Sequence, residues 1–291
     1  MFNPSYLSKL VCVLSFIALI FACKAGAPDD SGGEQEQPNP VKVNSYLNDT
    51  GVQFAGNHPR TINIDGCEGK INPEDEWVFG ESFTRLDLPG QDCAFGRDKN
   101  SAIPEDGHAG FQFEKIGSTG EKLEATASTW SCVADLVSGL MWEVKTDDGG
   151  LHDRDDVFSW YNTNSQNNGG AIGNWNRGSE SCFGVQTDNP QTFCNTQSFV
   201  MRVNNIGLCG YKDWRMPTVF ELNNLTNFGR TEPAIDEKYF PNTLWAQYWS
   251  DSPHAAGNDL ARFVEFRFGV SGKAHKMDQY HVRLVRKYSS R

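Results

Sequence analysis

The apolar positions of this 291-residue chain change period several times. Leu10 to Phe21, "LVCVLSFIALIF", is an unbroken apolar run of twelve residues preceded by Lys9. It is too short for a spanning helix, which needs about 20 residues, and it fits the core of a signal peptide over residues 1–22. The stretch over 24–41, "KAGAPDDSGGEQEQPNPV", is nearly all polar or small. It buries too little apolar area to offset its ordering cost, which predicts a disordered tether over 23–41. Over 42–129, turn-rich segments such as "DGCEGK" and "PGQDCAFGRDKN" separate short alternating runs, "RTINI", "FTRLDL" and "GFQFEKI". This predicts a loop-rich β extension. From Trp130, "WSCVADLVSGLMWEVK" gives two apolar runs broken at Ser138-Gly139, a strand pair around a turn. A long polar insertion follows, acidic at first and then rich in Asn and Gly, carrying Trp160, Tyr161 and Trp175.

Two segments have helical period. In "CNTQSFVMRVNNIGLCG", Phe199, Val200, Val203 and Ile206 fall on one helical face. Asn195 or Thr196 suits the start and Gly207 the exit. In "DWRMPTVFEL", Thr218 and Glu221 have the spacing of a capping box. Val219, Leu222 and Leu225 form the buried stripe, with Phe228 at its margin and Gly229 as the stop. Pro217 keeps Met216 out of the helix. Beyond Gly229 the period becomes 2. Tyr248 to Ser250 is a short strand, and "RFVEFRFGV" places Val264, Phe266 and Phe268 opposite Glu265 and Arg267. "YHVRLVRK" points Val282 and Leu284 inward and Arg283 outward. Together these predict a terminal antiparallel meander with one wet face.

Charge narrows the partners. The formal net charge is −11, from 26 Lys+Arg and 37 Asp+Glu, which argues against nucleic acid as a partner. From Arg262 to the end, however, eight basic residues face two acidic ones. On the predicted wet face, Arg267 and Arg283 would form a fork for sulfate or carboxylate oxygens. Solubilising charge on an exposed strand is the competing reading.

There are eight cysteines. Cys12 lies inside the signal. Ala22-Cys23 closes the apolar run as a bacterial lipobox does, and that resemblance implies cleavage before Cys23 and a lipid on its sulfur. Lys24, rather than Asp, then points to the outer membrane. Cys67, Cys93, Cys132, Cys182, Cys194 and Cys209 remain, which in an exported protein implies three disulfides. Their connectivity does not follow from sequence. The pairing taken here is Cys67–Cys93, Cys194–Cys209 and Cys132–Cys182, with other pairings of the last four open.

Catalytic signatures are absent from the sequence: no G-x-S-x-G, H-E-x-x-H, Walker loop or G-x-G-x-x-G. His275 and His281 lie six apart near the end and His254 sits in a loop, so a zinc site would need a third ligand brought in by the fold. Asp147, Asp148, Asp153, Asp155 and Asp156 are hard ligands for calcium, but their spacing is not that of an EF-hand loop, and a solvated Asp-Gly turn explains them equally. Asp213-Trp214-Arg215 has no nucleophile beside it and reads as packing. No catalytic residue, metal or cofactor is expected. Trp160, Tyr161 and Trp175, aromatic residues in a polar insertion, are the candidates for stacking on a sugar.

The blocks "SGLMWEVK", "DWRMPTVFELNNL", "PAIDEKYFPNT", "YWSDSP" and "YHVRLVR" occur in this order. In that order they resemble the Lcl C-terminal domain, named after a collagen-like bacterial adhesin. The resemblance covers roughly Trp130 to Lys287 and places that domain at 130–291. "YWSDS" departs from the usual Ser-Ser. The resemblance implies an α+β, C-type-lectin-like fold with two short helices against a twisted antiparallel sheet. It implies attachment to the cell envelope and an extracellular glycan or protein ligand, and transfers no binding residue. The related formylglycine-generating group is catalytic through reactive cysteines, so an enzyme is the alternative class. A structural envelope component is a third.

Overall fold

The structure is a computed structural model that describes residues 48–52, 54–57, 62–65, 106–177 and 179–289. The signal, Cys23, the tether, Cys67 and Cys93 lie outside the described residues. Strands β1 (Phe54–Asn57) and β2 (Ile62–Asp65) pair antiparallel. A four-stranded antiparallel sheet has the order β11-β5-β4-β3. Its strands are β3 (Phe113–Ile116), β4 (Cys132–Asp135), β5 (Leu140–Glu143) and β11 (Val285–Lys287). A three-stranded antiparallel sheet joins β7 (Gln247–Pro253), β8 (Leu260–Glu265) and β9 (Val270–His275). The two-residue strands β6 (Phe158–Ser159) and β10 (Gln279–Tyr280) pair with each other. With helices α1 (Thr196–Ile206) and α2 (Val219–Asn223), the class is α+β and disulfide-stapled.

The β4–β5 hairpin turns at Leu136–Gly139. Asp135 closes the turn: its carboxylate accepts from the Val137 and Ser138 amides at 3.0 and 3.2 Å and from the Ser138 hydroxyl at 2.6 Å. Every residue of β4 and β5 is buried. Their period-2 alternation divides side chains between two cores rather than between core and water. Cys132, Ala134 and Met141 pack with Trp160, Phe199, Trp214 and Trp249. Val133, Leu140 and Trp142 pack with Phe113, Tyr239, Tyr248 and Phe266.

The helices obey their local signals. The Asn195 side chain caps α1 by accepting from the Ser198 amide at 2.9 Å. Phe199 and Val203 are buried, whereas Ile206 is 72 % exposed at the last position. Thr218 caps α2 through a reciprocal box: its hydroxyl accepts from the Glu221 amide, and Glu221 accepts from the Thr218 amide at 2.8 Å. Val219, Leu222 and Leu225 are buried, but Phe228 is 47 % exposed.

The C-terminal third departs from the predicted meander. Only β7, β8 and β9 form it. The chain turns at Phe266–Gly269, so Phe268 leaves the apolar face and is 49 % exposed. β10 pairs with β6, and β11 crosses to β5. Val282 and Leu284 enter one core as alternation requires, but the face opposite them is the other core. Arg283 is therefore fully buried, not on a wet face. Its guanidinium lies 5.0 Å from the Phe240 ring centroid and donates to the Thr243 hydroxyl at 2.7 Å.

The disulfides pair Cys132 with Cys209 and Cys182 with Cys194, which overturns the Cys194–Cys209 and Cys132–Cys182 pairing. Cys194 and Cys209 flank the 11-residue helix α1. At about 1.5 Å rise per residue their separation exceeds the roughly 7 Å a disulfide spans. Cys209 instead meets β4, tying the exit of α1 to the central sheet.

Glu143 is the buried acid of that sheet. It accepts from the Lys145 ammonium at 3.2 Å and the Leu284 amide at 2.9 Å, and shares a 2.8 Å hydrogen bond with His152 Nδ1. Burial alone would raise its pKa. The Lys145 charge, His152 and the Leu284 amide overcome that and bring it from 4.5 to about 2. A carboxyl depressed on folding stabilises fully above its unfolded pKa, and the gain disappears as pH falls through the folded one. Glu143 should thus contribute about 3 kcal/mol at neutral pH, lost as pH falls from about 4.5 toward 2. Urea unfolding at stepped pH checks this: Glu143→Gln should be less stable at neutral pH and flatter below about 4.5. An unchanged acid slope in the variant would refute the assignment.

Candidate functional site

Four segments enclose a cleft of about 250 Å³. They are the start of the polar insertion, the first turn of α1, Arg215-Met216, and Asp251 on β7, with Trp160 at the back. Trp160 is 1 % exposed, and its indole N–H donates to the Ser250 carbonyl at 2.9 Å. It is a buried wall rather than a stacking platform. Tyr161 lines the opening. Its backbone is held from both sides by Thr196 Oγ1, which accepts from its amide at 3.0 Å and donates to its carbonyl at 2.9 Å. Gln197 Oε1 accepts from the Thr163 amide at 2.9 Å, and Asn162 Nδ2 donates to Asn167 Oδ1 at 3.0 Å. Gln197 Nε2, Asn167 Nδ2 and Tyr161 Oη have no hydrogen-bond partner among the described residues.

The insertion is anchored from below by one cation. Lys276 is 2 % exposed. Its ammonium donates to the carbonyls of Asn168, Ala171 and Asn258 at 2.7, 2.7 and 2.6 Å, and lies 4.3 Å from the Trp160 ring centroid. Three acceptors satisfy all three donors of a lysine. Burial lowers its pKa, with Asp259 opposing. The loop returns over Trp160 at Gly173, where φ is 87° and an added Cβ would sit 2.1 Å from the Trp160 carbonyl oxygen. Only glycine fits there.

The other wall carries charge. Arg215 donates to both Glu221 oxygens, at 2.8 and 2.6 Å, and to the Met216 carbonyl at 3.1 Å. Glu221 also accepts from the Thr218 amide and hydroxyl. Both its oxygens are thus engaged in structure, leaving it no role as a base. Asp251 is fixed by its amide, which donates to the Pro217 carbonyl at 2.7 Å. Its Oδ1 accepts from the Ser252 hydroxyl at 3.2 Å, and that hydroxyl oxygen in turn accepts from the Val219 amide at 3.0 Å. Oδ2 of Asp251 has no hydrogen-bond partner among the described residues. Burial pushes its carboxyl above the usual range; the Ser252 bond and the Arg215 charge oppose this, and Glu221 adds to it.

Of the candidates read from sequence, the cleft gathers only Tyr161, with Trp160 behind it. Trp175 is 42 % exposed away from the cleft lining, edge-on to Phe193 at 5.0 Å. Arg267 pairs with Glu232 at 2.9 Å, and Arg283 is buried, so the anion fork is not formed. The acidic loop satisfies itself: Asp153 accepts from the amides of Asp148, Gly149 and Asp155 at 2.8, 2.6 and 2.9 Å. Among the described residues, no group of three or more His, Cys, Asp or Glu is arranged to hold a metal ion. Asn162, Asn167, Thr196, Gln197, Arg215 and Asp251 were missed as site residues. The sequence marks Thr196 as a cap candidate and Arg215 as packing, and Asp251 stands where the family pattern has its second serine. A second hollow of about 460 Å³ borders Ala171–Asn174 and His275–Met277. Its His275 pairs with Asp259 at 3.0 Å, and the Lys276 ammonium turns away from it into the clamp.

Residues 131–286 match the model of the family described as the Lcl C-terminal domain, and the chain belongs to that family. No curated protein and no solved structure matches it.

Lys276→Met should detach the loop while retaining the apolar stem. Three buried carbonyls lose their donors, at about 1–3 kcal/mol each where water does not replace them. The expected result is a lower thermal midpoint and new protease cuts within 161–174. A protease pattern identical to the wild type would show that the clamp does not hold the loop.

Proposed function

We propose that this protein is a non-enzymatic envelope lipoprotein whose folded head binds a glycan in the cleft beside Tyr161. One observation carries the proposal. Gln197 Nε2, Asn167 Nδ2, Tyr161 Oη and Asp251 Oδ2 line one concavity with a hydrogen-bonding site left over, and their backbones are fixed. Hydroxyl-rich ligands need such a set of donors and acceptors around an aromatic edge. Membership of a family associated with the bacterial surface supports the same reading. So does the α+β arrangement of two helices with antiparallel sheets, which fits a C-type-lectin-like fold. Cys132, Cys182, Cys194 and Cys209 are all bridged, so none of these four supplies the free thiol that the enzymatic alternative requires.

A glycan array probed with the full chain in detergent is the direct test. Sugars that bind should lose about tenfold or more in affinity with Gln197→Ala and with Tyr161→Ala, the former with a small fall in thermal midpoint because Gln197 Oε1 accepts from the Thr163 amide. Binding indifferent to both substitutions would remove the cleft from consideration.

The anchor is a separate proposal: lipid on Cys23, with the head on an outer membrane. It is supported by the apolar run ending Ala22-Cys23 and by Lys24. Cys23→Ser should remove the lipid, raise the mass by the uncleaved signal and take the protein out of the outer-membrane fraction. Unchanged membrane partition at the processed mass would contradict it.

A further inference from the structure

We infer that the cleft selects saccharides bearing a free, protonated amine over their acetylated or acidic counterparts. The inference rests on the glycan reading above and follows from the charges that line and border the cleft. Arg215, on the segment before α2, is the cation. It gives both terminal nitrogens to Glu221 and a further bond to the Met216 carbonyl. Glu221, on α2, spends its two oxygens on Arg215 and Thr218. These two charges cancel. Asp251, on β7, keeps one hydrogen bond from Ser252 and one free oxygen. The remaining lining, from Tyr161, Asn162, Asn167, Thr196, Gln197, Val200 and Met216, is uncharged. Lys276 lies on the far side of Trp160, with its ammonium given to three carbonyls. Among the groups that face the cleft, with Asp251 ionised, the surplus is therefore one negative charge.

An ammonium group answers that surplus. It can donate to Asp251 Oδ2 in a half-buried setting, where a charge-assisted bond is stronger than at an open surface. Ring hydroxyls are then within the reach of Gln197, Asn167 and Tyr161. Carboxylated or sulfated sugars bring like charge to the same oxygen and approach a chain of net charge −11. Burial holds the Asp251 carboxyl above its usual range, so the preference should fade on acidification earlier than an open carboxylate would allow.

The test titrates the full chain in detergent with three tetrasaccharides at about pH 6: a glucosamine oligomer, its fully N-acetylated form and a galacturonic acid oligomer. The expected order is amine first by about tenfold, acetylated second and acidic last. Asp251→Asn should bring the amine oligomer down to the affinity of the acetylated one. Asp251→Ser serves the same end should the amide variant show a lowered thermal midpoint. Equal binding of amine and acetylated oligomers, or a preference that survives both substitutions, overturns the inference and leaves the glycan reading standing. Absence of binding to all three, together with a blank array, overturns both.

Discussion

The central hairpin has no wet side. Antiparallel sheets commonly expose one face, yet all of β4 and β5 is buried between two cores. Polar groups carried there gain by finding a partner inside the protein, although the buried Trp142 indole N–H makes no hydrogen bond among the described residues. Asp135 finds its own turn, Glu143 finds Lys145, His152 and a backbone amide, and Arg283 finds a hydroxyl and an aromatic ring. The Cys132–Cys209 bridge also starts from β4, so the exit of α1 and the segment leading to α2 are referred to the same hairpin. The cleft is walled by the first turn of α1 and by Arg215, which lies between the two helices. Its geometry descends from a sheet that touches no ligand.

The cleft shows a division of labour. Ionic groups at its edge are consumed by structure: Arg215 and Glu221 hold the start of α2, and Lys276 holds the insertion from beneath. The groups left with spare hydrogen-bonding capacity are neutral amides, a phenol and one carboxylate. A saturated ion pair is a poor contact for a new ligand, because engaging it means breaking bonds already made. On the proposed reading, recognition would fall to the neutral groups, with Asp251 deciding among ligands that satisfy them.

What the sequence revealed was what is local. The start, stripe and stop of α2 lie within about a dozen residues, and the β4–β5 hairpin is two apolar runs around Ser138-Gly139. Period, capping-box spacing and turn residues located them. What stayed hidden depends on partners distant in sequence. Alternation correctly separated Arg283 from Val282 and Leu284, but it reports only that two faces differ, not that the second is water. Phe268 left its face because the chain turned at Phe266, and β11 left the meander for a strand more than 140 residues earlier. The Cys194–Cys209 pairing failed on length, since an eleven-residue helix stands between the two. The cleft has no contiguous motif at all. Asn167, Gln197 and Asp251 are unremarkable in isolation, and the signals near them marked a cap, a polar loop and a strand.

The clamp beneath the insertion has a consequence for how such a protein diversifies. Lys276 binds main-chain oxygens of Asn168, Ala171 and Asn258, and a carbonyl is present whatever side chain accompanies it. The glycine at 173 and the lysine at 276 are constrained, and Asn162 braces the rim through its side-chain bonds to Asn167 and the Asn164 amide, whereas the Tyr161 phenol makes no hydrogen bond among the described residues. On the proposed reading, substitution of Tyr161 would alter what is recognised without moving the wall that presents it. On that reading the clamp would separate inheritance of shape from inheritance of specificity.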